Sequence, residues 1–365
     1  MYKKFLVLSV LFALCFWLSC RVDPYVPTSS KQVAFDIPKG WPQPYYQFTN
    51  NRLTYDGFQL GRRLFYDGRL SSNDTVSCAF CHQNFAAFSN LAHFVSHGVG
   101  NQNGTRNAPG IFNMAWNTSY FWDGGVTNLE NQPINPMTNP VEMNETLPDV
   151  ISKISGDPLY PAMFQRAFSS DTGDLINSKH IFQSLAQFMA VMISNNSRYD
   201  SFVRGQVTFN SSEINGYNTF KAKCASCHTE PLFSDYQFRS IGLEPGVMPV
   251  INHTGEFIID SGREHITHNS SDRYKFKTPS LRNIALTAPY MHDGRFLTLL
   301  DVLDYFSTGI KPGASYCATL DPSLTGGIPL TTQQKTDLIN FLNTLTDNTL
   351  YKNPLFSDPN NYPAP

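Results

Sequence analysis

The sequence predicts a mainly α-helical protein whose helices are joined by long loops. Five segments carry apolar residues at helical spacing, whereas no segment keeps the alternation of apolar and polar residues that is typical of a β-strand. Stretches rich in Gly, Pro and Asn separate these segments and favour turns and loops. The predicted helices span residues 51–65, 178–203, 212–223, 297–306 and 331–345.

The pentad Cys-x-x-Cys-His occurs twice, at residues 78–82 and 224–228. It is the attachment sequence of a c-type haem, in which two thiols bond to the haem and the His becomes an axial ligand of the iron. A lone Cys-x-x-Cys could instead hold zinc or act as a redox dithiol, but two copies followed by His predict two covalently bound haem c groups. The residues concerned are Cys78, Cys81 and His82 in the first pentad and Cys224, Cys227 and His228 in the second.

Helices and extended loops wrapped around a haem describe a cytochrome c domain. The fold prediction is therefore mainly α, with two cytochrome c-like haem domains and long loops. The length of the chain is sufficient for two domains.

The first twenty residues have the properties of a secretion signal. Lys3 and Lys4 precede an apolar run that ends at Leu18 and is too short to span a bilayer comfortably. A small residue then precedes Cys20, which predicts a lipoprotein whose mature chain begins at a lipidated Cys20. Ordinary signal cleavage and a retained N-terminal anchor are the alternatives. Each of them exports the chain, as haem attachment outside the cytoplasm requires, so we expect a periplasmic, membrane-anchored protein.

The charge balance and the cysteines of the chain limit the kinds of function that can be expected. The chain has 27 Lys and Arg residues against 29 Asp and Glu residues, without a basic patch, so no binding of nucleic acid is expected. Of seven cysteines, Cys15 lies in the signal, Cys20 is the expected lipid site and four belong to the pentads. Cys317 has no evident disulfide partner and is expected to be a buried structural thiol.

An internal repeat divides the chain. Arg-Asn-Ala-Pro at 106–109 and Phe-Trp-Asp-Gly at 121–124 correspond to Arg-Asn-Ile-Ala at 282–285 and Met-His-Asp-Gly at 291–294. Each half also opens with its own pentad, which indicates a duplicated cytochrome c module. The predicted parts are a lipoprotein signal (1–20), a Pro-rich tether (21–45), an N-terminal domain (46–205) and a C-terminal domain (206–365).

The repeat aligns Phe121 with Met291. A thioether sulfur ligates haem iron and raises its reduction potential, whereas a phenyl ring cannot ligate. The second haem is therefore predicted to have His228 and Met291 as axial ligands and to transfer electrons. The first haem lacks a Met at the matching place, which predicts an open or displaceable sixth position. A pair of haems, one with both axial positions of its iron filled and one with an open axial position, is suited to the reduction of a small oxidant.

These residues resemble the bacterial di-haem cytochrome c peroxidase / MauG family. The resemblance extends from about residue 60 to residue 306 and depends on an ordered set of motifs at 60–67, 106–109, 121–124, 139–143, 276–283 and 289–294. It implies an enzyme, a cytochrome c peroxidase, that reduces hydrogen peroxide to water. The electrons would come from a small donor protein, a cytochrome c or a cupredoxin.

The resemblance also implies the roles of individual residues. Electrons enter at the C-terminal haem and pass by way of Trp122 to the N-terminal haem, where peroxide is cleaved. Glu142, twenty residues after Trp122, matches the distal acid–base residue, and Gln132 and Pro136 match other positions of the distal pocket. A positioned carboxylate can move the proton that O–O cleavage requires, and tryptophan has a large oxidisable ring that can relay an electron.

A calcium ion at the domain interface and a homodimer are two further implications of the resemblance. Asn107 matches the Asn side chain that binds calcium in the family. Asp272 and Tyr274 match the positions that supply backbone oxygens, by their spacing to Met291.

Two features separate sub-types of the family. Some peroxidases keep a distal His on the N-terminal haem until the other haem is reduced. His97 lies in that region, but ten residues before Asn107, which is two more than the expected spacing. Two alternatives therefore remain for the first haem. In one, His97 is a displaceable ligand of the iron. In the other, the sixth position of the iron is permanently open. MauG carries Tyr at the position of Met291, so Met291 favours ordinary peroxidase chemistry.

Two alternatives to the peroxidase remain. The first is a MauG-like oxidase that acts on a protein or organic substrate. The second is a di-haem electron carrier without catalysis of its own.

Overall fold

A computed structural model of the chain describes residues 33–91, 93–247, 250–251 and 257–361. The predicted signal, Cys20 and the first part of the Pro-rich segment lie outside the described residues. The described residues belong to one compact unit. Among them, none of the helices combines the length and the apolar character needed to cross a bilayer.

Helices make up most of the regular structure, which confirms the mainly α part of the fold prediction. They are α1 (Tyr55–Phe65), α2 (Cys78–Cys81), α3 (Ile134–Thr138), α4 (Leu147–Ser155), α5 (Tyr160–Ala167), α6 (Ser178–Ala190), α7 (Arg198–Val203), α8 (Ser211–Lys223), α9 (Glu264–Thr267), α10 (Leu299–Asp304), α11 (Thr332–Asn343) and α12 (Asn348–Tyr351). A π-helical turn, Tyr305–Gly309, follows α10.

Short 3₁₀ turns and two small antiparallel strand pairs complete the regular structure of the described residues. The 3₁₀ turns are Gly68–Leu70, Asn84–Ala86, Val99–Asn101, Met114–Trp116, Leu129–Asn131, Ser270–Asp272, Ile284–Leu286, Ser315–Cys317, Pro322–Leu324 and Pro354–Phe356. Strand β1 (Phe238–Arg239) pairs antiparallel with β4 (Phe276–Lys277), and β2 (Val250–Ile251) pairs antiparallel with β3 (Phe257–Ile258).

Side-chain caps explain where the main helices begin. Thr54 accepts a hydrogen bond from Gly57 N at the start of α1. Asn210 and Glu213 form a reciprocal capping box at the start of α8, and the same arrangement begins α11. Because such caps satisfy backbone N–H groups that have no partner within the helix, they fix the first turn.

The prediction of one helix over residues 178–203 is wrong. The structure has two helices there, since α6 ends at Ala190 and α7 begins at Arg198. Between them, Ser194 N donates to Asn113 Oδ1 at 2.8 Å, and Ser197 caps α7. Polar side chains of this kind offer the backbone alternatives to helical hydrogen bonds. Helices α3, α4 and α5 were missed because their prolines suggested loops, although proline is tolerated in a first helical turn.

The buried apolar residues form two clusters. The first contains Phe58, Leu64 and Phe188 and is built mainly from residues before position 193, whereas the second contains Phe220 and Phe341 and is built from residues 199–345. The clusters fall largely on opposite sides of residue 205 in the sequence. The boundary between two haem domains at that point stays a prediction.

Part of the predicted tether packs against the first cluster. Trp41 lies edge-on to Trp116, with ring centroids 5.0 Å apart, and Pro42 O accepts a hydrogen bond from Trp116 Nε1 at 2.8 Å. From Val33 on, this segment therefore belongs to the folded structure.

A glycine permits a close helix crossing in each half of the chain. A Cβ added at Gly61 in α1 would lie 1.8 Å from Ser184 O in α6. A Cβ added at Gly216 in α8 would lie 2.0 Å from Asp337 O in α11. Since both obstacles are backbone atoms, neither can rotate away. The occurrence of a close helix crossing at a glycine in both halves agrees with the duplication that the repeat indicates.

We expect Gly61→Ala to lower the free energy of unfolding by about 1–3 kcal/mol or more, because the two helices must separate to admit the methyl group. Denaturant unfolding of the haem-loaded protein measures this change. Gly313→Ala is the matched control, since nothing lies within 4 Å of a Cβ added there. Equal stability of the two variants would show that the crossing is not tight.

Candidate functional site

A cavity of about 740 Å³ brings the two pentads into one site. Its wall is mostly apolar and is formed by both halves of the chain. The cysteines and histidines in this wall are Cys78, Cys81, His82, His97, Cys224, Cys227, His228, His265 and His292.

The first pentad is shaped by one helical turn and a reversal of the chain. Cys78 and Cys81 begin and end α2, and the spacing of three residues places both thiols on the same side of the turn. His82 N donates to Cys78 O at 2.9 Å, and His82 Nδ1 lies 2.9 Å from Phe88 O. This second contact makes Nδ1 the donor and leaves Nε2 free to bind a metal.

The second pentad repeats this geometry at the end of α8. His228 N donates to Cys224 O at 3.0 Å, and His228 Nδ1 lies 3.1 Å from Phe233 O. Each site thus offers two free thiols and one imidazole that is oriented for ligation. In a largely apolar cavity, this donor set fits two covalently attached haem c groups.

The turns that carry Phe121 and Met291 have the same backbone geometry. Both residues are left-handed, with φ of 65° and 74°. The N–H of the preceding Tyr120 or Tyr290 donates to a carbonyl six residues later, at 2.7 Å in both halves. A left-handed conformation is uncommon for residues other than glycine, so its occurrence at both places indicates one shared turn. Both Phe121 and Met291 line the cavity, in agreement with their alignment in the repeat.

Glu142 lies in the cavity wall on the side of the first pentad. Burial raises the pKa of the Cys81 thiol, and the charge of Glu142 raises it further. Burial also raises the pKa of Glu142, while a hydrogen bond with Asn139 opposes the change. Its backbone is held by hydrogen bonds to Asn139 O at 3.0 Å and from Val99 N at 2.7 Å. The site therefore contains a carboxyl group whose proton is held more tightly than usual.

Gln132 and Pro136 line the cavity together with Glu142, and their roles in a distal pocket stay a prediction. His97 also lines it, and its carbonyl oxygen lies 3.5 Å from Cys81 Sγ. The His97 Nδ1 atom is buried without a hydrogen-bond partner among the described residues, and the ring lies 4.7 Å from that of His93. The structure thus places His97 near the first pentad, and its role as a ligand stays a prediction.

Trp122 connects elements from the two halves of the chain. Its indole Nε1 donates to Asn107 O at 2.9 Å, and its carbonyl oxygen accepts from Lys277 N in β4 at 2.7 Å. The half-buried Trp122 side chain lines the cavity that contains both pentads. Its position is compatible with a relay between them.

The residues of the expected calcium site have other contacts in the structure. Asn107 Nδ2 donates to His93 O at 3.2 Å and to Phe94 O at 3.3 Å. The Asp272 carboxylate accepts from Thr267 and Lys275. No cluster of three or more His, Cys, Asp or Glu residues suited to a metal ion occurs in the described part of the chain. The calcium ion that the resemblance implies would bind mainly to backbone oxygens, and it stays a prediction.

Lys277 is a charged residue of the cavity wall that was not singled out from the sequence. Lys277 belongs to a motif that supported the resemblance, but nothing in the local pattern distinguishes its side chain from that of a solvated lysine. In the structure its Nζ donates to Ser119 O at 2.5 Å, within the wall of the cavity.

Comparison with known proteins extends these observations over most of the chain. The family model described as di-haem cytochrome c peroxidase matches residues 55–208. The methylamine utilization protein MauG of Methylorubrum extorquens is 33% identical over 315 residues, which are 85% of this chain and 83% of that protein. The cytochrome c551 peroxidase of Nitrosomonas europaea is 33% identical over 247 residues, covering 67% of this chain and 70% of that protein.

Among solved structures, a MauG-like protein associated with microbial copper homeostasis superposes with a TM-score of 0.79 at 34% identity. The match covers 90% of this chain and 99% of the other. The family model includes the first pentad, and the structural match extends over nine tenths of the chain. On this evidence the chain belongs to the bacterial di-haem cytochrome c peroxidase / MauG family, which implies that it carries two haem c groups.

Proposed function

We propose that this protein is a periplasmic di-haem cytochrome c peroxidase that reduces hydrogen peroxide to water. The observation that carries the proposal is the asymmetry of the cavity. Met291 and Phe121 occupy equivalent turns in the two halves of the chain and both line the cavity, and the half with Phe121 also contributes Glu142. In the net reaction one peroxide takes up two electrons and two protons, the O–O bond breaks, and two water molecules form.

Glu142 is the proton-transfer group of this proposal. A bound haem would supply the iron that binds peroxide and the electrons that reduce it. Glu142 would take a proton from one peroxide oxygen and return it to the other as the O–O bond breaks. A pKa raised by burial suits both steps, because it makes the carboxylate a stronger proton acceptor than that of an exposed glutamate. Gln132, in the same wall, orients the peroxide by hydrogen bonding.

The second site receives electrons in this proposal. A small periplasmic donor, a cytochrome c or a cupredoxin, would deliver them at the second haem, which His228 and Met291 would hold. Trp122 then relays them toward the first site, and its hydrogen bonds to Asn107 and Lys277 hold the indole in place.

The remaining features of the proposal come from the sequence and the resemblance. They are a lipid anchor at Cys20, a homodimer, a calcium ion held by Asn107 with the backbone oxygens of Asp272 and Tyr274, and separate haem domains at 46–205 and 206–365. In one version of the proposal His97 is a displaceable ligand of the N-terminal haem iron. In the other version His97 does not bind the iron, whose sixth position is permanently open.

A MauG-like oxidase is the second candidate function. It is favoured by the coverage of the relatives, because the MauG protein of Methylorubrum extorquens matches 85% of this chain and the Nitrosomonas europaea peroxidase 67%. Met291 opposes it, since MauG carries Tyr at that position. The substrate of such an oxidase would be a protein or an organic molecule in place of the donor protein.

The half-reduced protein distinguishes these functions. We expect its electronic and EPR spectra to contain a high-spin N-terminal haem that reacts with hydrogen peroxide, beside a low-spin C-terminal haem. Turnover of peroxide with a reduced cytochrome c or cupredoxin should then consume two electrons for each peroxide. Reaction with peroxide but no oxidation of any such donor would favour the MauG-like oxidase. Two low-spin haems that are inert to peroxide at every redox level would leave only the electron carrier.

A further inference from the structure

Five Arg and Lys side chains line the cavity within the described residues, and the three arginines are already neutralised. Arg106 pairs with Asp123 and Asp260, Arg239 pairs with Asp235 and Asp321, and Arg282 pairs with Asp200, at N–O distances of 2.5–3.1 Å. None of these guanidinium groups needs a further anion. Lys223, one of the two lysines, donates to Pro329 O at 2.9 Å in an exposed hydrogen bond, where water solvates it.

Lys277 has no ionic partner among the described residues, and its hydrogen bond is partly buried. No carboxylate of the described residues lies within 4.0 Å of its Nζ, whose hydrogen-bond acceptor is the neutral carbonyl of Ser119. Burial lowers the pKa of Lys277 to about 7, and the charge of Asp123 opposes this only in part. An ammonium group has three N–H bonds, so the bond to Ser119 leaves two of them for another partner.

The cofactor of the family brings the complementary charge. Each haem carries two propionate carboxylates, and an ionised carboxylate in an apolar cavity is costly unless it is paired. The arginines of the wall are occupied, whereas Lys277 presents an uncompensated ammonium group. Its strand β4 also bonds to the carbonyl of Trp122, so its place is beside the expected electron relay.

We propose that Lys277 binds a propionate of one of the two haems beside Trp122 and thereby raises the reduction potential of that haem. A cation at the propionate cancels negative charge on the haem, and this stabilises the reduced state, which carries one positive charge less than the oxidised state. The inference depends on haem attachment and not on peroxide turnover, so it can fail or succeed independently of the proposed peroxidase.

Spectroelectrochemical titration of the haem-loaded variant Lys277→Met tests the assignment. We expect one of the two midpoint potentials to fall, and the haem that shifts is the one whose propionate is bound. Lys277→Arg, which keeps the charge, should restore most of the wild-type potential. Lys311→Met is the matched control, because it removes the same charge from an exposed lysine outside the cavity wall and should leave both potentials unchanged.

Resonance Raman spectroscopy supplies an independent readout of the same contact. The propionate bending band of one haem should shift in Lys277→Met and keep its position in Lys311→Met. Lys277→Gln provides the comparison if Lys277→Met does not retain both haems. Unchanged potentials and an unchanged band would overturn the proposal, and so would an equal fall of both potentials, which would indicate a general charge effect.

Discussion

Replacing Glu142 by Gln is expected to slow peroxide cleavage by about 10²–10⁴-fold, the usual contribution of a positioned acid–base group. The amide preserves the size of the side chain and its polarity, but it cannot accept and return a proton. Because Glu142 is a wall residue and not an iron ligand in the proposal, both haem spectra should stay close to those of the wild type. Stopped-flow mixing of the half-reduced protein with peroxide measures the rate directly.

The dependence on pH gives a second test of Glu142. Burial raises the pKa of this carboxyl group, so the ionised form that accepts a proton is lost at a higher pH than for an exposed glutamate. The acid limb of the wild-type rate profile should therefore disappear in Glu142→Gln. Asp149→Asn, which changes an exposed carboxylate of the same half, is the control and should keep both the rate and the profile. Normal turnover by Glu142→Gln would remove Glu142 from the mechanism.

Replacing Met291 by Leu is expected to lower the reduction potential of the C-terminal haem by on the order of 0.1 V or more, since axial ligands tune haem potentials over about 0.8 V. Leucine fills a similar volume but offers no sulfur, so packing of the turn is largely kept while the ligand is lost. The low-spin spectrum of this haem should also be lost, and electron delivery to the first site should slow. Potentiometric titration with absorption spectroscopy measures both effects.

A methionine that lines the same cavity serves as the control for Met291. Met189, in α6, is buried in the first apolar cluster and reaches the cavity wall. Met189→Leu should leave the reduction potentials of both haems unchanged. This result would distinguish the effect of losing an iron ligand from the effect of changed packing in the cavity wall. An unchanged potential in Met291→Leu would exclude Met291 as the ligand.

Several features of the site follow from residue type and short spacing alone. Two thiols three residues apart with an adjacent His occur in one turn of chain, so both haem attachment sites could be predicted without a fold. The alignment of Phe121 with Met291 needed only the repeat, and the equal left-handed turns of the structure agree with it. Most predicted helices were found because apolar periodicity and local caps act over a few residues.

The break in residues 178–203 could not be predicted in this way. The stretch keeps a helical apolar pattern on both sides of Ser194, but that residue bonds to Asn113, which lies 81 positions earlier in the chain. A local pattern carries no information about such a partner. The close crossing at Gly61 is of the same kind, because the obstacle is a backbone oxygen of another helix.

The sequence by itself determined the helical class and set Met291 against Phe121 in the repeat, and it predicted the two haem attachment sites and a Met291 ligand on one haem only. These properties depend on covalent chemistry and ligand type, which reside in single residues and short motifs. Only the tertiary structure decided that one cavity contains both pentads and that Lys277 lies in its wall beside Trp122, bonded to a residue 158 positions away. Burial and charge compensation depend on which distant segments meet, and the folded chain alone decides that.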